Sequence, residues 1–416
     1  MGRILNQIET DLRHSMAYNA VQKLPYYKQW LFDNPIIISR AKYEQSVELQ
    51  RIFFKLINEF VNHYDEYKRL MPLSADVQKI IDIWQQKNDY EIGTYRTDFV
   101  LDDLGNFRPI EITCRFALNG YFLPSILNQH ANMQISDKKS DYYYPYQSFP
   151  SYFTTKLKQN KRVVVLRDRE TKNESKLFEP ILQAAGLELT FLTVNDLNSN
   201  QHDFDNCLVI NEFTFDELLE IDEQVHRKLS TSNFMNDLRT VFLIHDKRFF
   251  AAINDAALQH NCLTPEEIGV CNALFVPSEI YSADSEQWQS AKHNKDQWVL
   301  KHRALGKSQA VFAGIVIEES EWAALFNRND ISEFVLQKWI PQKTFSGSIK
   351  EMKYNDYYTG TFLFCDKKHF GFAEFRTSSF PVTNKVDHRK CVSLIVADDQ
   401  SYSFDSLTYF NNIGLV

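Results

Sequence analysis

The segment TYRTDFVLDDLGNFRPIEITCRF carries five residues of chemical interest: Arg96, Asp98, Glu111, Thr113 and Arg115. Two short β-prone runs around a turn at Asp102–Asn106 predict a strand hairpin. Side chains alternate along a strand, so Arg96 and Asp98 share one face, and Glu111, Thr113 and Arg115 share one face of the next strand. The opposite faces, Thr97, Phe99 and Leu101 with Ile110, Ile112 and Cys114, read as core. A turn centred between Leu104 and Gly105 sets Asp98 against Glu111 and Arg96 against Thr113, with opposed Cβ atoms about 4.5–5.5 Å apart. Two carboxylates so placed repel unless a cation joins them. Magnesium, with its hard oxygen ligands and bridging phosphates, is the natural candidate. The alternative is a structural hairpin in which Arg96 and Arg115 neutralise the acids.

A second group lies in WVLKHRALGKSQAVFAG. Lys301 ends an apolar strand, a loop with Gly306, Lys307 and Ser308 follows, and a second strand closes near Gly314. A lysine opposite a flexible loop suits the charge of nucleotide phosphates. Further on, FVLQKWI reads as a strand whose backbone, from Gln337 through Lys338, Trp339 and Ile340, is placed to meet an adenine edge. Lys247 in IHDKRFF opens a predicted helix and is a further cation for phosphate. Taken singly, each lysine also reads as a solvated surface charge.

Other nucleotide and catalytic motifs are excluded. The strand VVVL runs into Arg167, Asp168 and Arg169 without the glycine that close approach to a pyrophosphate needs. A P-loop ending in Gly306-Lys307-Ser308 requires glycine where Lys301 stands. There is no GxSxG or HExxH, and the 11 histidines show no metal-ligand spacing.

The elements that must position these residues form four segments. Residues 1–90 read as helical, with Ile52, Phe53, Leu56, Ile57 and Phe60 at helical spacing and Ser74 as the cap of a second helix. Residues 91–130 hold the metal-binding hairpin. Residues 161–240 alternate strand and helix (KRVVVL, ESKLFEPILQAAG, LELTFLTV, CLVINEF), the pattern of a small parallel sheet. Residues 241–416 are the nucleotide-binding part: a helix through KRFFAAINDAALQ, the strands around Lys301, a helix at EWAALF, then antiparallel strands in TGTFLFC, HFGFAEFRTSS and CVSLIVA.

Composition bounds the rest. With 416 residues, 44% hydrophobic, 24% charged and only 12 Gly and 12 Pro, the chain is globular. A net charge of −8 lacks the footprint of a nucleic-acid binder. The six cysteines form no CxxC pair and read as buried thiols of a reducing compartment. The N-terminal residues show no apolar signal region, and no run is long enough to span a membrane, so a cytoplasmic location is expected.

The order RxD…EIxxR, a helix led by DKR, WVLKH…G, VLQKWI and GTFLFCDKKHFGFAEFR resembles the circularly permuted ATP-grasp proteins, among them glutathionylspermidine synthetase-like ligases. The resemblance implies an α/β (α+β) chain: a permuted ATP-grasp fold with a helical N-terminal segment and an inserted parallel α/β subdomain. It implies an ATP-dependent ligase that joins a small-molecule or peptide carboxylate to an amine through an acyl phosphate, releasing ADP and phosphate. ATP and Mg2+ are the implied cofactors, and neither nucleic acid nor membrane is a partner. Asp98 and Glu111 then match magnesium ligands, and Thr113 stands where the family usually has Asn. Arg96 and Arg376 match arginines near the transferring groups. Lys247, Lys301, Gly306, Lys307 and Ser308 match the phosphate site, and Gln337 to Ile340 the adenine strand. Two rivals remain: a small-molecule phosphotransferase, and a degenerate scaffold that binds nucleotide without turnover.

Overall fold

The computed structural model describes residues 30–87, 89–121, 149–158, 160, 162–170, 179, 182, 187–199, 202–306, 308–383 and 385–396. The chain is a mixed α/β protein with several sheets. Strand β1 (Ile36–Ser39) leads directly into helix α1 (Arg40–Asn62), whose first turn is capped by Ser39 Oγ accepting from the Lys42 N–H. The predicted stripe Ile52, Phe53, Leu56, Ile57 and Phe60 is fully buried. Helix α2 spans Ala75–Gln85. Strands β2 (Thr94–Leu101) and β3 (Phe107–Thr113) form the expected hairpin. Helix α3 (Phe149–Lys158) precedes β4 (Arg162–Leu166), β5 (Glu188–Leu192), β6 (Cys207–Asn211), helix α4 (Glu223–Ser230) and β7 (Asn233–Met235). A buried π-helical turn, Thr240–Ile244, and helix α5 (Pro265–Leu274) lead to β8 (Ser278–Ile280). Then come β9 (Trp298–His302), β10 (Val311–Ala313), β11 (Phe334–Lys338), β12 (Thr344–Ile349) and β13 (Met352–Cys365). Strands β14 (Lys368–Phe372), β15 (Phe375–Ser378), β16 (Arg389–Cys391) and β17 (Ser393–Val396) close the described chain.

These strands build three larger sheets. The long strand β13 is the spine of the first, pairing antiparallel with β2, β12, β14 and β15, while β3 and β16 extend it. Its inner face is an aromatic stack in which Phe99 and Phe362 lie 4.2 Å apart and Phe107, Phe372 and Phe375 pack edge-on or tilted around them. Gly360 lies under this stack because an added Cβ would stand 2.2 Å from the Phe99 ring. The second sheet, β10-β9-β11-β8, is antiparallel. One face carries Leu300, Leu336 and Phe334 onto Trp288 and Trp322 of flanking helices. By alternation the other face carries Val299, Lys301 and Gln337. The third sheet, β5-β4-β6-β7, is parallel throughout.

Several local readings differ from the structure. β1, which pairs in parallel with β17, interrupts the segment read as helical. The helix read through KRFFAAINDAALQ is two, Phe249–Ala252 and Ala256–Cys262, because the Asp255 carboxylate caps a new start by accepting from Ala257 and Leu258 N–H. HFGFAEFRTSS is two strands, broken at Ala373–Glu374, that pair with different parts of β13. Residues 1–29 and most of the helix read at 174–186 lie outside the described residues. All six cysteines are free thiols. No helix among the described residues is long and apolar enough to cross a membrane.

Candidate functional site

The hairpin places Asp98 opposite Glu111 and Arg96 opposite Thr113, the expected register, but it reaches that register by another route. The turn closes with Leu101 opposite Phe107, one half-step from the expected centre, and is fixed by Asp102 Oδ1 accepting from the Asn106 N–H at 2.7 Å. A bulge at Ile110 then shifts the pairing by one residue. Pro109 beside it has no N–H to give to the ladder. The Ile110 carbonyl accepts instead from Lys301 Nζ at 3.1 Å. The bulge thus ties the hairpin to the second sheet.

Asp98 faces Thr361 across β13 and accepts from its hydroxyl at 2.7 Å and from Arg376 Nη2 at 2.5 Å. Burial opposes the Asp98 charge, but Arg376, the Thr361 hydroxyl and Arg96 together hold its pKa below the ordinary value. Burial likewise opposes the Arg376 charge, and the two carboxylates Asp98 and Glu111 help to keep its pKa raised. Directly opposite Arg376 on β16 stands Lys390, 3.9 Å from Glu374. Burial lowers the Lys390 pKa despite Glu374 and Asp98, with Arg376 adding repulsion.

Lys301 is 6% exposed and donates to Gln337 Oε1 at 2.7 Å. Gln337 in turn donates to Ser278 Oγ at 2.9 Å. Burial pushes the Lys301 pKa down to about 8, with Lys247 adding to the drop and Glu111 and Asp98 opposing it. Lys247 is also buried, 3.4 Å from Glu111 Oε1, and donates to the Leu305 carbonyl at 2.6 Å. It lies in a turn just before the helix that it was expected to open. Asp98, Glu111, Arg376, Lys301 and Lys247 therefore converge between the first and second sheets. Beside them Val299, Ala313 and Val382 form an apolar patch with Val311, Val316, Trp339 and Phe380 packed against it.

The other predicted residues divide. Arg96 packs against Gly120, where a Cβ would meet its Nη1 at 2.4 Å, and the left-handed φ of 81° suits glycine. Thr113 is half-buried beside Arg96. Gly306 stands open, and Ser308 adopts a left-handed φ of 59°. Lys307 lies outside the described residues. The Lys338 side chain turns away from Gln337, bonding Gln297 at 2.8 Å over the Trp298 ring. The backbone N–H groups of Lys338 and Trp339 are already taken by the Pro277 and Gln297 carbonyls, because β11 is an interior strand. That corrects the adenine-edge reading for these two donors and leaves Ile340, beyond the strand. Sequence reasoning missed Thr361, Glu374 and Lys390. Their only signal was the alternation within GTFLFC, HFGFAEFR and RKC, which does not say which strands pair.

A group of cations surrounds His245. Its Nδ1 accepts from the Cys114 N–H at 3.3 Å, so the neutral ring carries its proton on Nε2. Burial, then Arg115, Lys247 and Arg96, hold the His245 pKa well below its usual value.

Among the described residues no group of three or more His, Cys, Asp and Glu is placed to hold a metal. Asp98 and Glu111 are opposed hard carboxylates of the kind magnesium takes, and in this structure Arg376 and Lys247 pair them instead.

Residues 49–243 match the family model described as AnkG N-terminal domain. This corrects the expected membership: the match is to that family and to no ATP-grasp family. The motifs behind the resemblance were short and scattered, whereas this match is continuous from α1 to the π-helical turn. It includes Arg96, Asp98, Glu111 and Thr113 and stops short of Lys247, Lys301, Gln337 and Arg376. No curated protein matches the chain.

Proposed function

We propose that the charged cluster between the first and second sheets binds a magnesium nucleotide and uses it to activate a carboxylate for amide formation. The observation that carries this reading is Lys301: a buried lysine joined to Gln337 and to the bulge carbonyl of Ile110, in the field of Asp98 and Glu111. Burying a cation is costly, and its retention here fits a phosphate that restores its charge. The apolar patch of Val299, Ala313 and Val382 suits a base ring.

Asp98 and Glu111 would hold the metal, which neutralises phosphate charge when bound. Lys301 and Lys247 orient the phosphates, and Arg376 offsets charge on the transferred group. A carboxylate oxygen attacks the γ-phosphorus, the bond to the β,γ-bridging oxygen breaks, and ADP leaves with that electron pair. An amine then attacks the acyl carbon, loses a proton, and displaces phosphate. No covalent protein intermediate is needed.

The test is incubation with ATP, magnesium, pooled carboxylic acids and hydroxylamine. The expected result is a hydroxamate with one ADP and one phosphate for each bond. AMP with pyrophosphate excludes this chemistry, and ADP with a stable phosphorylated product identifies a phosphotransferase.

A further inference from the structure

Both carboxylates of the hairpin row hold a cation that comes from another part of the fold. Asp98 Oδ2 accepts from Arg376 Nη2, and Asp98 Oδ1 from the Thr361 hydroxyl at 2.7 Å. Arg376 stands on β15 and reaches Asp98 on β2 across the intervening strand β13. Glu111 Oε1 lies 3.4 Å from Lys247 Nζ, and Lys247 belongs to the turn that follows Thr240–Ile244. All four side chains are mostly buried. Lys301 differs, because its two acceptors, the Ile110 carbonyl and Gln337 Oε1, are neutral.

The row thus sets two carboxylates against two cations. A divalent metal that takes Asp98 and Glu111 must displace Arg376 and Lys247, since a cationic donor and a metal compete for the same oxygens. Displaced by metal alone, each cation is left mostly buried without its carboxylate, which is strongly unfavourable. A phosphate that draws off Arg376 and Lys247 by itself leaves the two carboxylates opposed and unpaired, unfavourable for the same reason. When both ligands arrive, the carboxylate–cation pairs become carboxylate–metal and cation–phosphate pairs, and no charge is stranded. Lys301 can meet phosphate without breaking an ion pair.

We propose that Arg376 and Lys247 are exchangeable counter-ions of the site, so that metal and phosphate bind it cooperatively and the metal enters as part of the nucleotide complex. The coupling is reciprocal: whatever factor phosphate adds to metal affinity, metal adds to phosphate affinity. This rests on the magnesium-nucleotide reading for the identity of the ligands and is independent of the carboxylate chemistry. Removing one exchanging cation has a signature that a structural role does not share. Arg376→Gln frees Asp98 for metal and takes a partner from phosphate, so it moves the two affinities in opposite directions.

Magnesium and ATP associate in solution, so each ligand is measured by itself on the full chain. Mn2+ alone is titrated by electron paramagnetic resonance, and tripolyphosphate alone by calorimetry in EDTA, with folding checked by circular dichroism. Arg376→Gln should bind Mn2+ about tenfold more tightly than wild type and tripolyphosphate about tenfold more weakly, the scale of one charge-assisted contact. Lys247→Gln should shift both the same way, and it decides the matter if Arg376→Gln does not fold. Arg96→Gln removes an equal charge from the same face of β2, where Arg96 acts on Asp98 through charge alone and more weakly than Arg376. It should tighten Mn2+ binding by less than about threefold. Mn2+ affinity unchanged or reduced in Arg376→Gln, or raised as much in Arg96→Gln, overturns the exchange, and Mg-ATP binding by wild type then still supports the nucleotide reading. Wild type that binds neither tripolyphosphate nor Mg-ATP overturns both.

Discussion

Replacing Lys301 with methionine separates a ligand-binding role from a structural one. The side chain is buried, and its pKa lies at about 8 against 10.5, with burial the largest cause. That difference means the charged form costs the apo fold roughly 3 kcal/mol at pH 7, at about 1.36 kcal/mol per unit. Methionine keeps the stem and removes the charge. It also strands Gln337 Oε1, now bonded at 2.7 Å, and takes the 3.1 Å donor from the Ile110 carbonyl, which keeps Gln337 Nε2 at 3.5 Å. An unsatisfied buried acceptor costs about 1–3 kcal/mol, so the two effects nearly cancel. Urea unfolding at pH 7 should therefore show Lys301→Met within about 2 kcal/mol of wild type. Isothermal titration with Mg-ATP should show affinity falling about 10- to 100-fold, the loss of one charge-assisted contact. The pH dependence gives an independent check. Lys301 binds its proton more weakly in the folded state, so its penalty is full below about pH 8 and is relieved as pH rises from there toward 10.5. Wild type should gain stability across that window relative to Lys301→Met. Unchanged nucleotide affinity, or an apo loss above about 4 kcal/mol, would show that Lys301 is structural and does not bind ligand.

Four further outcomes are expected. Mg-ATP affinity of wild type should weaken above pH 8 by up to about tenfold per unit as Lys301 loses its proton, while Lys301→Arg stays flat to pH 10, read by titration calorimetry. Glu111→Gln should abolish magnesium-dependent turnover and leave the melting temperature nearly unchanged, because Glu111 is partly exposed and its Lys247 contact is long, at 3.4 Å. Arg389→Met should cost about 3–5 kcal/mol in urea unfolding, since it leaves Asp356 buried without the cation that now holds it at 2.6 and 2.8 Å. Gly360→Ala should cost at least about 1–3 kcal/mol through overpacking of Phe99 and Phe375, measured the same way.

What the sequence showed follows from how far each signal reaches along the chain. The Asp98–Glu111 pair was legible because strand period and a nearby turn decide it locally. Even there the bulge at Ile110 was invisible and compensated for a misplaced turn centre. Lys301 with Gln337 was legible as two apolar strands ending in polar residues. Lys390, Glu374 and Thr361 were not, because long-range pairing of β13, β15 and β16 brings them to Asp98. β1 was hidden because four residues, IIIS, abut a long helix without a break. The family resemblance misled because an acidic hairpin and a strand-end lysine are short patterns that unrelated chains can share.

The most direct measurement is a crystal structure of the full chain with magnesium and a non-hydrolysable ATP analogue. The β- and γ-phosphates should lie between Lys301 and the Asp98–Glu111 row, with Lys301 Nζ released from Gln337 onto phosphate. The base should lie against Val299, Ala313 and Val382. A nucleotide bound elsewhere, or no nucleotide at saturating concentration with Lys301 still joined to Gln337 and Ile110, would contradict it.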